Sequence, residues 1–247
     1  MLIHSLFLGL CAAVLTCLIS YSPASVFTFF STSFAYLFLR KNLLTAPPFS
    51  FYFWLVVLGS LSAGAFSALS DDQKETAIYA GILTMAYALP GRFGLRRILL
   101  LKPLIIGLSW ALMTIGIAAD QSIFSLPNDH SVFKIFIEVL MLTTLLSTLY
   151  DMRDFNLKLP GEKTFVSVFG LSRFKVIYIS LTILSIVFAI FLSQNTFRLS
   201  YFVSAIFGIM MLFFIENKKR YISTTWVIDS TFLLYFFLEK LSLEHYI

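Results

Sequence analysis

The chain has 247 residues, 59% of them hydrophobic and 13% charged, with a formal net charge of +5 and a mean hydropathy of +0.88. A soluble globular domain would be about a quarter charged, and a disordered chain would pair low hydrophobicity with high charge, so both classes are excluded. Apolar runs near the ~20 residues that an α-helix needs to cross a bilayer recur throughout. The expected architecture is an all-α polytopic membrane bundle, one domain over residues 1–247.

The first predicted helix covers 3–20 and holds both cysteines, Cys11 and Cys17. Their spacing points them to different helix faces and suggests neither a disulfide nor a metal site. Met1-Leu2-Ile3-His4 offers no basic leader and no small-residue cleavage site, so this run is expected to be a retained span. Ser22-Pro23 precedes the second helix, 24–40, and Ala46-Pro47-Pro48 precedes the third, 50–69. The stretch from Ser70 to Lys74 leads into 75–90, and Pro90-Gly91 closes it before 102–119. Asp120 to Asp129, with Pro127, separates the sixth helix, 131–150, and the polar stretch 151–173 follows it. The last three are 174–193, 199–215 and 222–239, broken by Ser193 to Arg198 and by Glu216 to Arg220. Nothing resembles the ten-residue dyad alternation of a membrane barrel.

Nine spans put alternate loops on opposite membrane faces, and the basic residues then sort sharply. One face receives Arg40, Lys41, Arg92, Arg96, Arg97, Lys102, Arg153, Lys158, Lys163, Arg173, Lys175, Lys218, Lys219 and Arg220, which is 14 of the 18. A miscount of one helix would scramble that asymmetry. The positive-inside rule makes this face cytoplasmic, with the N-terminus inside, the C-terminus outside, and a cell inner membrane as the expected location. The net positive charge follows from this topology and implies no nucleic-acid partner.

The longest polar stretch begins Tyr150-Asp151-Met152-Arg153-Asp154 and runs on through Lys158 and Lys163. On a continuing helix Asp151 and Asp154 share a face. Two such carboxylates can hold Mg²⁺, which keeps waters and recruits substrate phosphates, while Arg153, Lys158 and Lys163 supply phosphate contacts. Both acids would sit against the negative end of the helix dipole, which asks for a compensating cation. A solvated charged loop with Arg153 salt-bridged to its neighbours fits the same spacing. Asp229 lies seven residues inside the last span, roughly 10 Å deep at 1.5 Å per residue. Acids at that depth face protein or a wet cavity, so Asp229 is either a site residue or a buried acid held by Ser, Thr or Tyr hydroxyls. Glu138 and Glu239 stand near the outer surface and are expected to snorkel. His4, His130 and His245 are scattered at helix ends and predict no histidine metal site. Most of the 28 Phe and 11 Tyr are expected to face lipid or pack helices; a few lining a cavity would suit an isoprenoid chain and stabilise an allylic cation.

Asp151-Met152-Arg153-Asp154, followed by Lys163-Thr164 and Phe169-Gly170-Leu171, resembles the second aspartate motif of the UbiA-type intramembrane prenyltransferases. Leu101-Lys102-Pro103 leading into Ser109-Trp110-Ala111 is similar to the start of their corresponding helix. The resemblance implies nine helices around a central cavity, a cytoplasmic N-terminus, and polar caps on the 2–3 and 6–7 loops. It also implies Mg²⁺-assisted transfer of an isoprenyl group from a prenyl diphosphate to a lipophilic acceptor, aromatic ones included. In that frame Asp151 and Asp154 are the catalytic and metal-binding candidates. Arg40, Lys41, Lys102, Arg153, Lys158, Lys163 and Asp229 are the substrate-binding ones.

Two departures stand out. The stretch Ser31 to Asn42, where the family places its first acidic motif, contains no acid, and none occurs in residues 1–70. Lys158 replaces the third acid of the second motif. Either direct cations neutralise the diphosphate alongside one metal, or prenyl transfer has been lost and the chain binds an isoprenoid or lipid without turnover. A transporter is disfavoured, because no inverted repeat or matching pair of broken helices is visible.

Overall fold

The computed structural model describes residues 2–19, 23–39, 48–89, 95, 98–99, 101–156, 164–192, 199–217 and 221–244, without the side chains of 153, 154, 156, 216, 217, 221–224 and 242–244. No strand occurs among them. The helices are α1 (Leu2–Thr16), α2 (Pro23–Leu39), α3 (Phe49–Ser67), α4 (Asp71–Ala88) and α5 (Leu101–Ala111). They continue with α6 (His130–Asn156), a short α7 (Phe165–Phe169), α8 (Leu171–Leu192), α9 (Leu199–Asn217) and α10 (Tyr221–Glu244). Three of them, α3, α6 and α8, are long and apolar enough to cross a membrane, and α1, α2, α5 and α9 are shorter apolar helices.

Local chemistry sets several boundaries. Ser70 and Gln73 form a reciprocal capping box at the start of α4, satisfying two amide donors that no helical carbonyl reaches. Asp71 and Asp72 occupy the first turn, where the helix dipole favours negative charge. Thr164 and Ser167 make the same reciprocal arrangement at α7. That helix stops at Gly170, whose φ of 77° suits a residue without Cβ. α5 runs on through a π-helical turn, Leu112–Gly116. Such turns disturb the carbonyl ladder, and the Thr28 hydroxyl of α2 donates to the Met113 carbonyl at 2.9 Å.

α6 is the hub. It packs on α5, α7, α8, α9 and α10, and about two thirds of its apolar span is buried, against 11% for α3 and 22% for α8. α1 lies between α2 and α10. Small residues bring backbones together: a Cβ on Gly107 of α5 would fall 2.7 Å from the Leu140 carbonyl of α6. Without a hydrophobic force between helices in lipid, such close approach is a main source of cohesion. Leu142, Leu146 and Leu149 of α6 join Leu112, Ile115, Leu212, Ile215 and Tyr235 in the main buried cluster.

Two findings correct the sequence-based picture. α6 does not end at 150 but continues through Asn156, so Asp151 and Asp154 lie on the continuing helix and not in a solvated loop. Glu138 and Glu239 do not snorkel; both are fully buried. The Tyr235 hydroxyl donates to Glu138 at 2.8 Å, and the Ser200 hydroxyl donates to Glu239. These partners sit on neighbouring helices, so inward hydrogen bonding outcompetes a reach toward the surface.

Candidate functional site

Polar side chains gather where α1 and α10 begin, α5 begins and α6 ends. The Lys102 ammonium of α5 lies 2.6 Å from Asp151 Oδ1 of α6, with both side chains nearly inaccessible, 8% and 2% exposed. One residue earlier on α6, the Tyr150 hydroxyl donates to Asp229 Oδ1 of α10. The other oxygen of Asp229 lies 2.6 Å from His4 Nε2 of α1. The Cys11 thiol approaches the Asp229 carbonyl at 3.8 Å. His4 packs edge-on against Tyr36 with centroids 4.8 Å apart, and Trp226 lies beside it.

Four helices are therefore cross-linked by consecutive residues of α6. Tyr150 ties that helix to α1 and α10 through Asp229, and Asp151 ties it to α5. Buried charge this deep needs such pairing, since an isolated carboxylate or ammonium costs several kcal/mol to desolvate. Below the polar layer, Trp110 of α5 and Phe232 of α10 stack nearly parallel, 4.7 Å apart. Trp110 is two helical turns from Lys102 and Phe232 is one turn from Asp229, so the pair floors this end of the bundle with an aromatic surface.

Of the residues singled out in the sequence, the structure brings together Lys102 and Asp151, and places Asp229 in the adjoining cluster. Lys102, expected to meet phosphate, meets Asp151. Arg40, Lys41, Lys158 and Lys163 lie outside the described residues, as do the side chains of Arg153 and Asp154. His4 and Tyr150 were not anticipated. The available signal was a lone imidazole and a phenol at the ends of otherwise apolar helices, since polar groups at such depth seek partners inside the bundle.

Mg²⁺ asks for near-octahedral oxygen donors, usually one or two carboxylates plus phosphates. The described cluster offers two carboxylates, each engaged by its own nitrogen: Asp151 by Lys102 and Asp229 by His4. Among the described residues no three His, Cys, Asp or Glu converge as a metal-holding group. The described donors do not fit a Mg²⁺ ion.

No protein-family profile, curated protein or solved structure matches the chain.

Proposed function

We propose that the chain is a multi-pass membrane protein with nine spans and a cytoplasmic basic end, where it binds a prenyl diphosphate and passes the isoprenyl group to a lipophilic acceptor. One observation carries this reading. The two segments that resemble the UbiA-type enzymes, around Lys102 and around Asp151, are 49 positions apart in sequence yet meet at 2.6 Å. They meet at the end of the bundle to which the topology assigns 14 of 18 basic residues.

The chemistry follows from the side chains. Lys102 holds the diphosphate through charge-assisted contacts, joined by Arg40, Lys41, Arg153, Lys158 and Lys163, which the sequence-based topology assigns to the same membrane face. The allylic carbon–oxygen bond breaks with its electron pair on the departing diphosphate, whose growing charge those cations stabilise. The acceptor's nucleophilic atom then bonds the allylic carbon and releases its proton. Aromatic faces such as the Trp110–Phe232 stack suit both the apolar chain and a transient carbocation, and burial of the chain contributes about 25 cal/mol per Å².

A second reading, an isoprenoid-binding protein without turnover, is favoured by the engagement of Asp151 by Lys102 and by the acid-free first 70 residues. Purified protein given farnesyl diphosphate and a panel of lipophilic acceptors, with and without Mg²⁺, separates the two. Acceptor-dependent release of diphosphate supports the enzyme, saturable binding without release supports the second reading, and no binding overturns both. Cysteine labelling that places positions 41 and 163 on opposite membrane faces would overturn the topology.

A further inference from the structure

Resting on the reading that this end binds a prenyl diphosphate, we infer that it does so without a divalent metal: the Lys102 ammonium occupies the carboxylate a metal would use, and direct cations carry the recognition. The contact is the first reason. Lys102 Nζ stands 2.6 Å from Asp151 Oδ1 and both groups are almost wholly buried. A metal on that oxygen would have to displace the ammonium and leave it in apolar surroundings, which is costly. The remaining donor chemistry is the second. The other carboxylate of the cluster, Asp229, is held by His4 and Tyr150, and no third acid, histidine or cysteine converges on either among the described residues.

Charge balance is the third reason. The 14 basic residues assigned to this face stand against four acids, Asp151, Asp154, Glu162 and Glu216, and residues 1–70 supply none. A metal clamp needs carboxylates to hold the metal; this face has a surplus of cations, which suits an anion bound directly. Asp151 is then a positioning residue. It fixes the Lys102 ammonium, which has three N–H donors, at the start of α5.

The test is titration of detergent-purified full-length protein with farnesyl diphosphate, inorganic diphosphate and farnesol, each in EDTA and in millimolar Mg²⁺. Farnesyl diphosphate is expected to bind equally in the two buffers, within about threefold. Lys102→Met should weaken binding in EDTA by tenfold or more and gain a response to Mg²⁺, because Asp151 is then released to the metal. Lys102→Arg should retain EDTA-resistant binding. Should Lys102→Met fail to fold, the double variant Lys102→Met/Asp151→Asn removes both charges together. It should lose EDTA-resistant binding and recover none of it in Mg²⁺.

A tenfold or greater loss of wild-type affinity in EDTA overturns the inference, as does undiminished EDTA-resistant binding in the double variant. If inorganic diphosphate binds as tightly as farnesyl diphosphate and resists EDTA, the inference stands and the prenyl reading falls. If no diphosphate binds in either buffer, both fall.

Discussion

Among the described residues four acids are buried in this bundle, and the two halves treat them differently. At the basic end Asp151 and Asp229 face nitrogen, the ammonium of Lys102 and the imidazole of His4. Toward the far end Glu138 and Glu239 face hydroxyls, those of Tyr235 and Ser200. The same chemical group thus meets side-chain nitrogen in one half, with the Tyr150 hydroxyl beside it at Asp229, and hydroxyl in the other. The nitrogen contacts tie α6 to α5 and α10 to α1, whereas the hydroxyl-bound acids tie α6 to α10 and α9 to α10. Under the proposed function the first half meets the anion, and the second serves cohesion.

The sharpest break of that comparison is Lys102→Met. Removing one partner of a buried ion pair costs roughly 3–5 kcal/mol, while replacing both partners is often close to neutral. Thermal unfolding in detergent should therefore show a large loss for Lys102→Met and a much smaller one for Lys102→Met/Asp151→Asn. Equal losses in the two would mean that Asp151 is not held by that cation. Asp229→Leu comes next, at about 1–3 kcal/mol, because it strands the His4 and Tyr150 polar groups. Restored stability in the triple change with His4→Leu and Tyr150→Phe would confirm the source of the loss.

In the far half the effects should shrink. Tyr235→Phe deletes one hydrogen bond to Glu138 and should cost about 1 kcal/mol. Glu138→Gln keeps an acceptor for the same hydroxyl and should cost less. A melting loss for Glu138→Gln as large as that for Lys102→Met would erase the distinction between the halves.

The smallest expected effect lies outside the helices, at Asp129. Hydrogen bonds from the Ser131 hydroxyl and the Val132 amide hold its carboxyl below the usual carboxylate range. A depressed folded-state value means that the stabilisation is present above the ordinary carboxylate pKa and is lost as pH falls through the lowered one. Asp129 is partly exposed, so solvent screens it. Asp129→Asn should slightly flatten the acid limb of a stability profile, and an unchanged limb would refute the role.

Much of the fold was legible because helices announce themselves. Proline pairs, polar clusters and apolar runs placed nearly every helix within a few residues of its observed bounds; 199–215 against Leu199–Asn217 is typical. The end of α6 was missed because Asp151 to Asn156 reads as polar loop, whereas its first residue is buried and held by a neighbouring helix. Glu138 and Glu239 were misplaced for a related reason: distance from a helix end says nothing of which face a residue occupies. The site was legible in its parts, Lys102, Asp151 and Asp229, but not in its pairings. His4 and Asp229 stand 225 positions apart, and no local periodicity encodes a partner on another helix.

That separation bears on how the protein is made. α1 is synthesised before α10, which carries the carboxylate that meets its imidazole. At the usual 5–20 residues per second of translation, His4 waits roughly 10–50 s for Asp229. During that interval the growing chain must shelter a polar group at the membrane surface, and α1 has α2 as its early neighbour, with the Tyr36 ring lying against the imidazole. A nascent chain halted before residue 229 should therefore remain open along the seam between α1 and α10. Quality-control proteases that recognise unpaired intramembrane polar groups would meet it there.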